Sequence, residues 1–275
     1  MNKSRHLRFL VSRRVVQAAV MLLLVGGNYW GWNVLRGNLS QSMLLGTVPL
    51  ADPFAVLQLL AAGGLLAGNA LLGSLITVVF YGLLGGRTFC AWVCPINPVT
   101  DLANWLARRL GWNKGRQTKM FARSSRFVAM ILAVALSFIL GVAAFEAISP
   151  IAMLHRGLVF GMGVGWTFVL AVFLFDLAVQ RNGFCGHLCP LGAFYSAISP
   201  LSLMRIEHDH HKCTSCMDCL KVCPEHEILE LVGKASGSVL DGVCTNCGRC
   251  IEVCHDDALH FNLRKEAMSL ESGGS

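Results

Sequence analysis

Apolar residues in this chain gather in long blocks rather than alternating, and four blocks have the length of a bilayer-crossing helix. They cover about Val15–Leu35, a stretch within Phe54–Gly86, about Phe127–Phe145 and about Gly157–Phe175. The second carries no charge and exceeds what a bilayer requires; Gly63, Gly64, Gly68, Asn69 and Gly73 interrupt it. It reads as a short interfacial helix over Phe54–Ala62 followed by a span over Leu65–Leu84, or as one long tilted helix. Beyond residue 180 the blocks give way to a mixed polar segment. The pattern predicts an all-α polytopic membrane domain of four transmembrane helices in two related pairs, with a small α+β domain after it. The divisions are a basic N-terminus at 1–14, the helical domain at 15–180 and a linker at 181–204. The second domain follows at 205–263, with a flexible tail at 264–275.

Composition agrees with the blocks. The 275 residues are 54% hydrophobic with a mean hydropathy of +0.56, too apolar for an ordinary soluble domain. Residues 1–180 carry 15 Lys and Arg against 4 Asp and Glu; residues 181–275 carry 8 against 12. The basicity therefore belongs to the helical part and reports topology rather than nucleic-acid binding. Five basic residues (Lys3, Arg5, Arg8, Arg13, Arg14) precede the first block, and Arg36 alone follows it. Eight lie in the 85–126 connection, and Arg156 alone in the next. This alternation puts both termini and the 85–126 loop in the cytoplasm of a bacterial inner-membrane protein, with the first block as an uncleaved anchor.

The chemistry is in the twelve cysteines. Cys213, Cys216, Cys219 and Cys223 form one C-x2-C-x2-C-x3-C run, and Cys244, Cys247, Cys250 and Cys254 form another. This is the spacing of bacterial two-[4Fe–4S] ferredoxins, in which each run gives three thiolates to one cube and its fourth to the other. Cys213, Cys216, Cys219 and Cys254 are therefore expected on the first cluster, and Cys244, Cys247, Cys250 and Cys223 on the second. A zinc module would leave half the cysteines unexplained, and a disulfide framework needs an oxidising compartment. His255 stands where such runs usually have proline, and Asp218 and Lys221 are expected to face water.

The other four cysteines form a repeat. Cys90 and Cys94, and Cys185 and Cys189, each lie in F-C-x3-C-P, ninety-five residues apart, after an apolar block on its cytoplasmic side. Residues four apart share a helix face, so each pair can present two sulfurs together. Packed as neighbours, the repeats would converge four, making a third metal, cluster or dithiol site; inert helix packing is the plain alternative. Pro95, Pro98 and Pro190 predict helix breaks at the same level.

These residues, with Pro49-Leu-Ala-Asp-Pro-Phe54, Gly85-Gly-Arg-Thr-Phe-Cys90, Trp92-Val-Cys-Pro-Ile-Asn-Pro-Val-Thr-Asp101 and Met153-Leu-His-Arg156, resemble the NapH-type membrane ferredoxins of periplasmic nitrate reductase systems. The resemblance covers nearly the whole chain. It implies the membrane component of a quinol dehydrogenase that passes electrons to a periplasmic iron–sulfur protein of NapG type, a tetrahaem cytochrome or nitrate reductase subunits. Membrane ferredoxins of nitrous-oxide reduction and copper-oxidase maturation share the cysteine motifs.

Quinol oxidation needs a proton acceptor beside a lipid-accessible pocket, and polar groups near the blocks are few. On the outer side stand Asp52, Glu146, His155 and Arg156; on the inner side Asp176 is expected to pair with Arg181 or Arg87. His155 is a candidate base and Arg156 a candidate partner for a quinone carbonyl, against the reading of both as solvated loop anchors; Glu146 also reads as a charge snorkelling to water. The six tryptophans read as an interfacial belt. Lys114, Arg116, Lys119 and Arg123 read as attracting anionic lipid or as docking the acidic second domain. Two other classes fit the cysteines: a cupric-ion reductase with the C-x3-C-P sulfurs as soft-metal ligands, and an assembly or anchoring subunit with structural clusters.

Overall fold

The first helix, α1 (Arg8–Tyr29), stops six residues short of the expected end, because the chain turns at Gly31 into strand. The structure, a computed structural model, describes residues 7–65, 67–112, 121–161, 163 and 165–264. Lys3 and Arg5 of the basic N-terminus, Lys114, Arg116 and Lys119 of the basic loop run, and the tail from 265 lie outside the described residues.

The expectation of a purely α-helical membrane domain is corrected at residues 35–51. Here β1 (Leu35–Gly37), β2 (Gln41–Leu44) and β3 (Val48–Ala51) form an antiparallel sheet, with Leu35 opposite Leu44 and Leu44 opposite Val48. Local turn chemistry overrides the apolar run. Asn38 Oδ1 accepts the N–H groups of Ser40 and Gln41 (2.9 and 2.8 Å), and Leu45 and Gly46 both adopt left-handed φ.

Asp52 caps α2 (Pro53–Ala61), accepting the Phe54 N–H at 3.0 Å, with Pro53 in the first turn. A short helix separate from α3 is present here, and one side of it is packed inward. Phe54, Ala55, Val56 and Gln58 are buried, and Gln58 Oε1 accepts the Phe145 N–H at 2.8 Å. A buried polar residue on an otherwise apolar helix goes inward because its hydrogen bonds wait there. Next comes α3 (Gly68–Leu84), which lies against β3 so closely that a Cβ at Gly73 would stand 3.0 Å from the Ala51 nitrogen.

The later apolar blocks are broken. Helix α6 (Ser125–Leu140) ends at Gly141 in the left-handed region, and α7 (Ala144–Ile148) follows as a single turn. Instead of one span over 157–175 there are α8 (Pro150–Phe160), capped by Ser149, and α9 (Gly165–Ala178). Gly161, Gly163 and Gly165 part them, since glycine in series disfavours helix. By length and composition α1 alone among the described residues is long and apolar enough to cross a membrane; α3, α6 and α9 are apolar but have 17, 16 and 14 residues.

The two repeats exchange partners. The first runs from α3 through α4 (Thr88–Trp92) into α5 (Ile96–Arg109); the second runs from α9 through a π-helical turn at Phe184–Leu188 into α10 (Pro190–Ile198). Helix α5 packs on α9, with Ala103 and Ala107 against Leu177, while α10 packs on α6 and α3. Small residues four apart allow that close approach.

The second domain is α+β. Its central strand β4 (Met204–His208) pairs antiparallel with β5 (Gly237–Ser238) and β6 (Leu259–Leu263). Helices α11 (Asp218–Val222) and α12 (Arg249–Val253) pack on one another. The domain is clamped to the helical body. Asp101 of α5 binds both Arg14 of α1 and Arg249 of α12. Glu252 Oε1 accepts the first-turn N–H groups of Phe9 and Leu10, a carboxylate at a helix N-terminus.

Gly248 lies in this joint at φ +73°, where an added Cβ would meet the Phe9 ring at 2.6 Å. Alanine there costs about 1–2 kcal/mol from the backbone alone, and the overlap adds to it. Gly248→Ala is expected to melt at least about 4 °C lower, followed by visible absorbance of the iron-loaded protein. An unchanged melting temperature would show that Phe9 does not pack there.

Candidate iron–sulfur sites

The two ferredoxin runs follow one backbone path. In the first, Ser215 and Met217 have left-handed φ (56° and 61°); in the second, the equivalent Asn246 and Gly248 do (47° and 73°). Non-glycine residues rarely accept that conformation. Its repetition at two matching positions marks a loop wound around something both runs must hold. Each loop then enters a short helix carrying the third cysteine, Cys219 on α11 and Cys250 on α12.

The sulfurs group across the runs. Cys219 lies within electrostatic reach of Cys213, Cys216 and Cys254, and Cys250 within reach of Cys247, Cys244 and Cys223. Cys223, Cys244, Cys247 and Cys250 line one small pocket together with Ile206, Ile228 and Leu229. Arg13, 1% exposed, lies near Cys247, with its Nη1 lacking a hydrogen-bond partner. An anionic sulfur-ligated cluster fits this donor set and answers the orphaned guanidinium. Burial pushes the Cys219 thiol up to about 11 and the Cys244 thiol up to about 12, so a free thiol here stays protonated at neutral pH. Iron is what makes these sulfurs thiolates. Asp218 and Lys221 pair with one another at the surface (2.7 Å), and His255 is exposed.

The four C-x3-C-P cysteines also come together, although not as two sulfurs on one continuous helix. Cys90 sits in α4, and the chain breaks before Cys94; Cys185 sits in the π-helical turn and Cys189 caps α10. Cys94 and Cys189 therefore stand at the N-termini of α5 and α10. Each of the four is within electrostatic reach of others in the set, and all lie in or against one buried core. Among the described residues no three His, Cys, Asp or Glu side chains gather tightly enough for a single metal ion. A corner-bonded cube spreads its thiolates more widely than an ion bound at about 2.3 Å does.

A knot of charge joins this group to the ferredoxin runs. Glu225, two residues after Cys223, is 4% exposed and reaches three arginines. Its Oε1 lies 3.2 Å from Arg87 Nη1 and 3.6 Å from Arg126 Nη1, and its Oε2 lies 3.5 Å from Arg123 Nε. A Cβ at Gly186 would stand 3.1 Å from that carboxylate, so Cys185-Gly186-His187 needs its glycine for a close approach. Arg87 donates to the carbonyls of Val243 (2.9 Å) and Cys185 (3.0 Å) and lies against the Cys90 sulfur. Arg87 Nε and Arg126 Nε and Nη1 are buried without hydrogen-bond partners. Asp176 accepts the Phe184 N–H at 3.0 Å, near Cys185, and Arg181 donates to the Cys223 carbonyl at 3.4 Å. The basic run docks the second domain through its described member, Arg123, which also binds Glu227 at 3.0 Å. Trp92 leaves the interfacial belt, donating Nε1–H to the Asn246 carbonyl at 3.0 Å. Sequence reasoning missed Arg126, Glu225 and Asp101; the one local signal was Arg87, three residues before Cys90.

On the other face Glu146 accepts from Ser40 and stands 3.8 Å from Arg156. His155 is 1% exposed, and neither ring nitrogen has a hydrogen-bond partner. Burial pushes the Glu146 carboxyl up and the His155 imidazole down. The structure brings Glu146 and Arg156 together and seats His155 beside them in sequence but inside.

Two cysteine runs wound alike around a shared cavity, on a helical body rich in apolar surface, define an iron–sulfur electron-transfer protein of ferredoxin type. The 4Fe-4S binding domain family matches residues 66–113 and again 158–206, and the 4Fe-4S dicluster domain family matches 205–255. The chain is 44% identical to the ferredoxin-type protein NapH of Haemophilus influenzae, over 85% of this chain and 81% of that protein. It is 43% identical to the methylamine utilization ferredoxin-type protein MauN of Methylorubrum extorquens, over 83% and 79%. NapH of Escherichia coli matches at 44%, over 81% and 77%. The chain belongs to this family of NapH and MauN ferredoxin-type proteins. No solved structure matches it.

Proposed function

We propose that this protein is the membrane-bound iron–sulfur subunit of a quinol dehydrogenase, with three centres. Two [4Fe–4S] clusters sit on Cys213, Cys216, Cys219 and Cys254 and on Cys244, Cys247, Cys250 and Cys223. A third sits on Cys90, Cys94, Cys185 and Cys189. The observation that carries this reading is the knot at Glu225 and Arg87, which links the four-cysteine group to the ferredoxin fold by direct hydrogen bonds. Bound iron–sulfur clusters supply one-electron acceptance at each stop.

In this reading α1, α3, α6 and α9 cross the bilayer. The shorter three do so by local thinning of lipid, and their exposed apolar faces, with Leu75, Val79, Ile131 and Leu170 outward, suit lipid rather than water. The ferredoxin domain then lies in the cytoplasm and the β1–β3 sheet outside. Tyr195 shortens the distance between the faces, being within electrostatic reach of Asp52 at the start of α2 and of Cys90 and Cys94. Its neighbour Phe194 touches Phe54 (6.1 Å between ring centres). His155, kept neutral by burial and with both nitrogens free of hydrogen bonds, is the base that takes a quinol proton. Arg156 and Glu146 orient the quinol head. The NapH relatives support nitrate reduction as the destination, through a NapG-type partner. The similar identity to MauN favours a second destination, methylamine utilization, with the same one-electron chemistry.

The test is redox-titrated EPR on anaerobically purified protein with a quinol analogue. Cluster signals are expected to appear on quinol addition. His155→Ala is expected to slow that reduction at least tenfold with iron and sulfide content unchanged. Clusters left oxidised by quinol, or reduced equally fast in the variant, would end the quinol assignment.

A further inference from the structure

Arg87 touches both electron-carrying regions at once. It lies against the sulfur of Cys90 from the first repeat and donates to the carbonyl of Cys185 from the second. It also binds the Val243 carbonyl, one residue before Cys244, and Glu225, two residues after Cys223. The guanidinium is 2% exposed, so solvent does not screen it, and its fixed fork gives four directed contacts that a lysine cannot.

We propose that Arg87 is a positioning residue that fastens the four-cysteine centre to the ferredoxin site closed by Cys223, and that its charge raises the potential of that centre so that quinol can reduce it. This rests on the reading of Cys90, Cys94, Cys185 and Cys189 as an iron–sulfur centre. The sign follows from charge. Reduction adds one negative charge to a group already anionic, and an unscreened cation beside Cys90 favours the reduced form. Arg126, 1% exposed and close to Glu225, adds to the same field. The electrons balance: one quinol loses two electrons and two protons to become quinone. The first electron reduces the four-cysteine site and moves on to reduce the Cys223 site by one; the second then reduces the vacated four-cysteine site by one, so that the two sites hold both electrons while the two protons pass to solvent by way of His155.

The experiment is an EPR redox titration of the full chain, purified anaerobically, with iron and sulfide counted. The signal absent from a Cys90→Ala/Cys189→Ala variant is assigned to the four-cysteine centre. R87Q is expected to keep its iron and to lower the midpoint of that signal by 59 mV or more, a tenfold change in the reduced-to-oxidised ratio for one electron. The Cys213 cluster should shift far less. R87K should recover most of the potential, because it keeps the charge. If R87Q does not hold iron, R126Q removes the neighbouring charge without breaking any hydrogen bond of Arg87 and should shift the midpoint the same way. An iron-replete R87Q or R126Q with an unmoved midpoint overturns the proposal and leaves the centre standing. If Cys90→Ala/Cys189→Ala loses neither iron nor a signal, the four cysteines carry no centre and the proposal falls with that reading.

Discussion

Serine at position 223 removes the cluster of the second run, not of the run in which Cys223 lies. In sequence Cys223 closes the first run, yet its sulfur lines the pocket with Cys244, Cys247 and Cys250. Cys254 closes the second run, yet it lies within electrostatic reach of Cys219. Cys223→Ser is therefore expected to lose about four of the eight ferredoxin irons and to keep the signal of the Cys213, Cys216, Cys219 and Cys254 cluster. Cys254→Ser should do the converse. The structural consequences are also unequal. The Cys223 pocket is lined by Ile206, Ile228 and Leu229 and faces the helical body, whereas Cys216 is exposed. In so small a domain metal binding is largely folding free energy. Losing the buried cluster therefore leaves a cavity beside Arg13 and Arg249, and should lower stability more than losing the outer one. Iron analysis, sulfide analysis and EPR on the two variants check this together. If Cys223→Ser instead loses the cluster of Cys213, Cys216 and Cys219, each run holds its own four ligands and the crossed assignment is wrong.

What the sequence made readable was what short separations determine. The cysteine spacing located both loops, because three sulfurs two residues apart and a fourth three residues on can be judged without knowing the rest of the fold. Apolar blocks likewise located α3 and α6 closely, whereas the blocks expected for α1 and α9 overlap those helices but start seven residues late and eight residues early. The breaks after Leu140 and Phe160 were hidden, because hydropathy averages over Gly141 and Gly161 while the backbone does not. The sheet at 35–51 was hidden for a related reason. Its strands are three or four residues long, and Leu35 reads as the end of a helix until the turns at Asn38 and Gly46 are weighed. The convergence of the four repeat cysteines was inferred from duplication, but its means, chain breaks that set Cys94 and Cys189 just ahead of α5 and α10, is not readable from spacing. Arg87 and Glu225 were the least readable, being 138 residues apart. Arg87 looked like one of eight topogenic basic residues. Its burial follows only from the docking of one domain on the other.

Alanine at position 225 is expected to loosen that docking. The carboxylate is buried with Arg87 and Arg126, and Arg123 closes over it from the loop. Removing one partner of a buried ion pair leaves the remaining charge desolvated without compensation, which costs about 3–5 kcal/mol, whereas an exposed pair is worth at most about 1 kcal/mol. The comparison within this protein is Lys221–Asp218, an exposed pair at 2.7 Å whose loss should be barely measurable. Glu225→Ala is therefore expected to lower the melting temperature by about 6 °C or more, given roughly 2–4 °C per kcal/mol in a chain of this size; Asp218→Ala should leave it nearly unchanged. The lesion should also be local. Glu225 is not one of the sulfur donors, so iron content should be retained while the domain lifts at the segment joining α10 to β4. Limited proteolysis should then cut between Ser199 and Leu203 in the variant and not in the parent. If Glu225→Ala matches the parent in both melting and cleavage, the three arginines are compensated by another group. The iron–sulfur centre proposed beside Arg87 would be an anion able to do so.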